Sequence, residues 1–158
     1  SGLYRWAPPH GWVADAFEFE RIAQEALALN ELDAREARLH DALRLYQGDL
    51  CPEFSEEDWC QPDAQRLRTL YLECLLMLGQ IASVKEQHHE VIEYCERALQ
   101  LDPCDEASVR LLMRAYHALG RRADVQYVYT RCQKALAEIL ETPPAEPTRQ
   151  LYESLLHS

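Results

Sequence analysis

The side chains best suited to chemistry are two arginines and a histidine in the second half of the sequence. Arg110, Arg114 and His117 stand at i, i+4 and i+7, so a helix would place them on one stripe. Guanidinium groups bind carboxylates through two parallel hydrogen bonds. The stripe is therefore either a binding face for an acidic group or a solvated helix surface.

Six cysteines provide the other reactive groups, at positions 51, 60, 74, 95, 104 and 132. No two of them form a Cys-x-x-Cys pair, the spacing typical of zinc or redox sites. Cys74, Cys95 and Cys132 fall on apolar helix faces, where a free thiol packs as a small hydrophobe. We therefore expect reduced thiols in a cytoplasmic protein and no bound metal.

Signatures of catalysis are missing from the sequence. It has no Gly-rich phosphate loop, no Gly-x-Ser-x-Gly elbow and no His-Glu-x-x-His motif. A zinc site built from Cys51, Cys60 and His88 or His89 is an alternative, but its spacing matches no known ligand pattern. The two histidines are adjacent and would point to different helix faces. We therefore expect that the protein is not an enzyme and that it binds no cofactor.

Charge is distributed unevenly along the chain. The net charge is -11, and residues 15–63 alone carry 14 acidic and 4 basic side chains. Residues 106–136 have the opposite balance, with 6 basic and 2 acidic side chains. An acidic chain cannot displace the counterions of DNA, so direct nucleic-acid binding is not expected. The basic segment could meet an acidic protein partner.

Apolar periodicity predicts helices throughout. The predicted segments are 15–29, 33–46, 62–84, 88–101, 105–119, 123–140 and 147–156. Asp15 is expected to cap the first helix, and Phe17 to lie on its apolar face. About seven antiparallel helices joined by short turns indicate an all-α stack. No secretory signal or 18-residue apolar run is present, so neither export nor a membrane span is expected.

A shift of 34 residues aligns the sequence with itself. It pairs Leu75 with Val109, Leu78 with Leu112, Val91 with Val125, Cys95 with Tyr129 and Ala98 with Cys132. This is the tetratricopeptide period, and it predicts two helix-turn-helix copies at about 72–105 and 106–139. The flanking helices, within 15–46 and 147–156, must then complete the core as caps.

Repeats of this kind line a concave groove with the first helix of each copy. Arg110, Arg114 and His117 are the groove residues predicted for the second copy. Those predicted for the first copy are Glu73, Leu76 and Gln80. Gly79 meets the requirement for a small residue where two helices cross closely, whereas the second copy has Met113 there.

Three stretches resemble the bacterial transcriptional activator domain of the antibiotic-regulatory (SARP-type) regulators. They are Leu45-Tyr46-Gln47-Gly48-Asp49-Leu50, the segment 99–116 with its Leu-Asp-Pro, and Ala118-Leu119-Gly120-Arg121-Arg122-Ala123 with Tyr129. The closing Pro144-x-x-Pro147-Thr148 with Leu151-Tyr152 also fits. Two positions depart from the family pattern: Val125 replaces a small residue, and Leu140-Glu141-Thr142-Pro143 stands where the family has Leu-Gly-x-x-Pro.

This resemblance implies a domain over residues 15–158 that regulates transcription by self-association and by contact with RNA polymerase or other regulator domains. It also implies a preceding winged-helix DNA-binding domain. The segment Leu3-Tyr4-Arg5-Trp6 resembles the last strand of such a domain. Residues 1–14 would then be an extended lead-in, with Ser1-Gly2 as the remnant of a cleaved tag. Two alternatives stay open: a tetratricopeptide adaptor unrelated to transcription, and a sensor that binds a small anion through Arg110, Arg114 and His117.

Overall fold

The computed structural model describes the backbone of residues 12–48 and 62–158, and within these ranges the chain forms helices and no strand. In chain order the helices are α1 (Trp12–Ala28), α2 (Leu32–Gly48), α3 (Pro62–Val84), α4 (His88–Leu101), α5 (Glu106–Ala118), α6 (Arg122–Ala135) and α7 (Glu146–Leu156). The predicted all-helical class is confirmed. The chain divides into two compact units, residues 1–74 and 75–158, and the division falls inside α3.

In the first unit, α1 and α2 pack on each other as a hairpin. Fully buried alanines at 23, 26 and 42 let the two helices approach closely. The ring of Tyr46 lies between two others, with centroids 5.1 Å from Phe19 and 4.0 Å from Tyr71. Arg38 on α2 also contacts Glu25 on α1 at 3.2 Å. Aromatic stacking in a small apolar core therefore holds this unit together.

In the second unit, each helix packs on the next one in the sequence. α4 lies against α5, α5 against α6, and α7 against both α5 and α6. The turns after α3 and α5 close with the hydrogen bonds Gln87 N–H to Ala82 O at 2.8 Å and Arg121 N–H to Tyr116 O at 2.9 Å. Such bonds require a left-handed residue just before the donor, here Glu86 and Gly120.

The positions paired by the 34-residue shift form the centre of the second unit. All ten residues of the five pairs are at most 7% exposed. Gly79 also behaves as predicted, because a Cβ atom there would lie 3.5 Å from both Cys95 Sγ and Leu111 Cδ1. The shared spacing thus reflects shared packing, in which each helix pair buries its apolar face against its neighbour.

The structure corrects two details of the first helix. α1 begins at Trp12, so Asp15 lies inside the helix and the predicted cap was wrong. Phe17 is 69% exposed, whereas Phe19 is fully buried. The buried face has the spacing i, i+3, i+4, i+7 from Phe19 to Ala26, and Phe17 lies off that stripe.

The end of the sixth predicted helix also differs. The sequence predicts one helix from about residue 123 to 140, but α6 ends at Ala135 and a π-helical turn, Leu136–Leu140, follows it. Glu141 then adopts a left-handed conformation with φ 54°. Its amide and that of Thr142 both donate to Leu136 O.

One segment of the described residues has the length and composition of a membrane span. Gln65–Val84, which makes up most of α3, has a mean hydropathy of 1.3 over its most apolar stretch. Half of that stretch is buried inside the protein, as in an ordinary core helix. This segment alone is weak evidence for a membrane, and the absence of a membrane span stays a prediction.

Candidate functional site

The helix that carries the predicted arginine stripe is fixed at both ends. Asp105 caps α5, accepting hydrogen bonds from Ser108 N–H at 3.5 Å and Ser108 Oγ at 2.7 Å. Gly120, with φ 73°, ends it. Because α5 buries Val109, Leu112, Met113 and Tyr116, the stripe of Arg110, Arg114 and His117 lies off its apolar face.

Two of these three side chains contact the C-terminal segment. Arg110 is half-buried, and its Nη1 donates to Thr148 Oγ1 at 2.9 Å. His117 Nε2 lies 3.1 Å from Ser158 Oγ. Part of the predicted groove face is thus covered by α7 and the residues after it.

Arg114 differs from its two neighbours because its side chain is exposed. It makes no hydrogen bond or ion pair with another residue of the described part of the chain. On α3, the exposed Gln80 and the half-buried Leu76 flank the point where Gly79 meets Leu111 of α5. The free guanidinium of Arg114 therefore lies on the helix next to the one that carries Gln80. We call these three predicted groove residues, Leu76, Gln80 and Arg114, the Arg114 face; that they share one surface stays a prediction.

The sixth predicted residue, Glu73, belongs to the first unit and is exposed. It lines a shallow cleft of about 380 Å³, together with Glu20, Gln24, Arg66, Thr69 and Leu70. Arg66 and Glu20 form an ion pair across it. Glu73 therefore lines a cleft of the first unit, whereas the other five predicted residues belong to the second unit.

A half-buried ion pair between the second helices of the two copies was not predicted. Arg131 on α6 donates from both Nη atoms to the two carboxylate oxygens of Glu96 on α4, each at 3.1 Å. The guanidinium also lies 5.6 Å from the ring centre of Tyr127. The two charges stand 35 residues apart, one more than the repeat, so the 34-residue shift does not align them.

The thiols of the described residues are poor metal ligands and poor nucleophiles. Burial raises the pKa of Cys74 and Cys95 to about 12 and that of Cys132 to about 11. No cluster of three His, Cys, Asp or Glu side chains occurs in the described ranges. The alternative zinc site includes Cys51 and Cys60, which lie outside them.

Comparison with known proteins bears on the whole chain. The family described as bacterial transcriptional activator domain matches residues 14–156. The C-terminal TPR-containing domain of an FK506-binding protein from Plasmodium falciparum has a similar structure, with a TM-score of 0.65 and 16% identity over 92% of this chain and 89% of that one. This likeness shows the tetratricopeptide-like fold alone. A search of curated proteins gives no match.

Proposed function

Because the chain belongs to the bacterial transcriptional activator domain family, we propose that it is the protein-binding, regulatory part of a cytoplasmic transcription regulator. It acts by contact with RNA polymerase or with other domains of the regulator, and by self-association, and it carries out no catalysis. The observation that carries the proposal is the family match over residues 14–156, which spans both units. The helical repeat fold supports it, since stacked helix pairs create extended binding surfaces.

DNA recognition belongs to another part of the regulator. The chain has a net charge of -11, and binding to phosphates requires positive charge that displaces counterions. Much of the basic segment 106–136 is occupied by partners within the protein. Arg131 pairs with Glu96, and Arg121 pairs with Asp124 at 2.7 Å.

The Arg114 face is the proposed contact surface of the second unit. Arg114 offers a guanidinium that no described residue neutralises, and Gln80 offers an amide on the next helix. Together with the half-buried Leu76, these groups suit a partner segment that carries a carboxylate beside an apolar side chain. A sensor of small anions is less well supported, because Arg110 and His117 already contact Thr148 and Ser158.

A binding measurement tests this proposal. The purified domain is immobilised, and RNA polymerase holoenzyme from a bacterium with regulators of this family is passed over it. We expect saturable binding that weakens about tenfold or more in Arg114→Glu, because the reversed charge repels the partner carboxylate. Arg149→Glu is the charge-reversal control, since Arg149 is also an exposed arginine of the second unit, where it pairs with Glu146. Absence of wild-type binding, or equal losses in both variants, would count against the proposal.

A further inference from the structure

The turn after α6 has two unusual backbone features in sequence. Leu136–Leu140 is π-helical, a geometry that is rare and often found at functional sites. Glu141 follows in the left-handed region at φ 54°, where a residue with a Cβ atom is strained and glycine is not. Glu141 thus places a carboxylate at the end of the π-helical turn.

Apolar side chains are exposed on the same turn. Ile139 is 59% and Leu140 is 58% exposed, and they are consecutive in the sequence. A shallow cleft of about 480 Å³ lies at the same turn and is lined by Gln133, Ala137, Glu141, Thr142, Pro143 and Pro144. The exposed pair provides an apolar contact area, and the cleft at Glu141 provides space for a partner side chain.

The rim of this surface is negatively charged. Glu138 and Glu141 are both exposed, and neither forms an ion pair with another described residue. The last carbonyl groups of the helical segment add partial negative charge at the same end. Lys134, about one turn earlier, offsets only part of this charge. The site thus combines apolar contact area with a preference for cations.

We propose that the turn surface, consisting of Ala137–Glu141 and Pro143, docks a short protein segment with an apolar anchor side chain flanked by lysine or arginine. The anchor packs on Ile139 and Leu140, and the flanking cation pairs with Glu138 and Glu141. Nucleic acids and anionic lipid headgroups are excluded as occupants by their like charge. The chemistry is opposite to that of the Arg114 face, so this surface serves a different partner segment and is tested separately.

The first test uses three synthetic 14-residue helical peptides and the whole chain. One peptide carries a leucine stripe flanked by lysines, one the same stripe flanked by glutamates, and one the same lysines without the leucines. We expect the leucine-lysine peptide to bind about tenfold or more tighter than the other two, because it alone satisfies both requirements. Chemical-shift changes are expected at residues 133–144. Equal binding of all lysine peptides would show charge attraction alone and overturn the proposal.

The second test uses variants with matched controls. Ile139→Ser with Leu140→Ser should weaken the leucine-lysine peptide about tenfold, whereas Val84→Ser, at a site 69% exposed, should not. Glu141→Gly should weaken binding severalfold, because it removes one rim carboxylate. Glu86→Gly is its control, since Glu86 is likewise exposed and left-handed at φ 57°.

The binding of the variants and the oligomeric state of the chain can each contradict the proposal. Unchanged binding in the Ile139 and Leu140 double variant contradicts the proposal, as does equal weakening by Glu86→Gly and Glu141→Gly. A second copy of the chain is the competing occupant. If the wild type sediments as a dimer and the double variant as a monomer, the turn surface is a self-association site, and the proposed basic partner is wrong.

Discussion

Arg110 on α5 donates a hydrogen bond from Nη1 to Thr148 Oγ1 at 2.9 Å, joining the middle of α5 to the first turn of α7. Thr148 is fully buried and Arg110 half-buried. Nearby, Ala145 N–H donates to a carboxylate oxygen of Glu106 at 2.9 Å, and the rings of Tyr129 and Tyr152 stack at 3.9 Å. The C-terminal helix is therefore an integral part of the second unit.

Removing the hydroxyl at Thr148 tests this role. We expect Thr148→Val to lower the free energy of unfolding by about 1 to 2 kcal/mol, because the half-buried guanidinium of Arg110 loses its acceptor. Urea denaturation measures the change. Arg149→Ala, at an exposed neighbouring site, should change stability by less than about 0.5 kcal/mol. If Thr148→Val is as stable as the wild type, the contact does not hold α7.

Backbone strain at Glu141 gives a second prediction. Glu141→Gly should raise the free energy of unfolding by about 1 kcal/mol, because glycine adopts the left-handed region without a steric penalty. Glu86→Gly should give a gain of similar size, since its backbone is nearly the same. Thermal unfolding of both variants measures the effect. A loss of stability in Glu141→Gly would show that the Glu141 side chain stabilises the fold by more than its left-handed backbone destabilises it.

Gly79 tests the packing of the repeat. A Cβ atom there would make ordinary van der Waals contacts at 3.5 Å, so Gly79→Ala should be neutral or stabilise by up to about 1 kcal/mol through its helix propensity. Gly79→Leu should destabilise by about 1 to 3 kcal/mol, because the larger side chain must displace Cys95 or Leu111. Chemical denaturation of the two variants would show whether the space around Gly79 is closely packed or empty. Equal stability of both would contradict the tight crossing.

The buried thiols predict how stability depends on pH. The pKa values of Cys74, Cys95 and Cys132 rise from an ordinary value of 9.0 to about 12, 12 and 11, so the unfolded chain loses these protons first. Their contribution to stability is complete below about pH 9 and is lost as pH rises toward the folded values. Urea denaturation at pH 7.5, 9 and 10.5 should show a decline only above pH 9.

Thiol labelling provides an independent check. In the native protein at pH 8, the half-buried Cys104 should react with iodoacetamide before the three buried thiols, which should react only on unfolding. Mass spectrometry of the digested protein identifies each site. Rapid labelling of Cys95 under native conditions would contradict both its burial and its raised pKa.

The sequence predicted most of the fold because apolar spacing alone determines which helix faces are buried. The 34-residue shift found ten core positions, and proline and glycine fixed most helix ends to within a few residues. The π-helical turn was not predicted, because Leu136–Leu140 has the same apolar spacing as an α-helix. The predicted burial of Phe17 was also wrong, since two phenylalanines two residues apart cannot both face the core from one helix.

The candidate site was harder to predict, because partner choice depends on tertiary contacts. Arg110 and Arg114 are indistinguishable in the sequence, yet only Arg110 meets a buried hydroxyl of α7. The turn surface was not predicted, because only the backbone shows that Leu136–Leu140 is π-helical and that Glu141 is left-handed.

Activation of transcription by the tethered domain tests the central claim most directly. The chain is fused to an unrelated DNA-binding domain whose operator lies upstream of a weak promoter, and transcripts are counted in a bacterium that has regulators of this family. We predict severalfold more transcript than with the DNA-binding domain alone, and a loss of that gain in Arg114→Glu but not in Arg149→Glu. If the folded wild-type fusion occupies the operator and transcript levels do not rise, the domain is not the activating part of a transcription regulator.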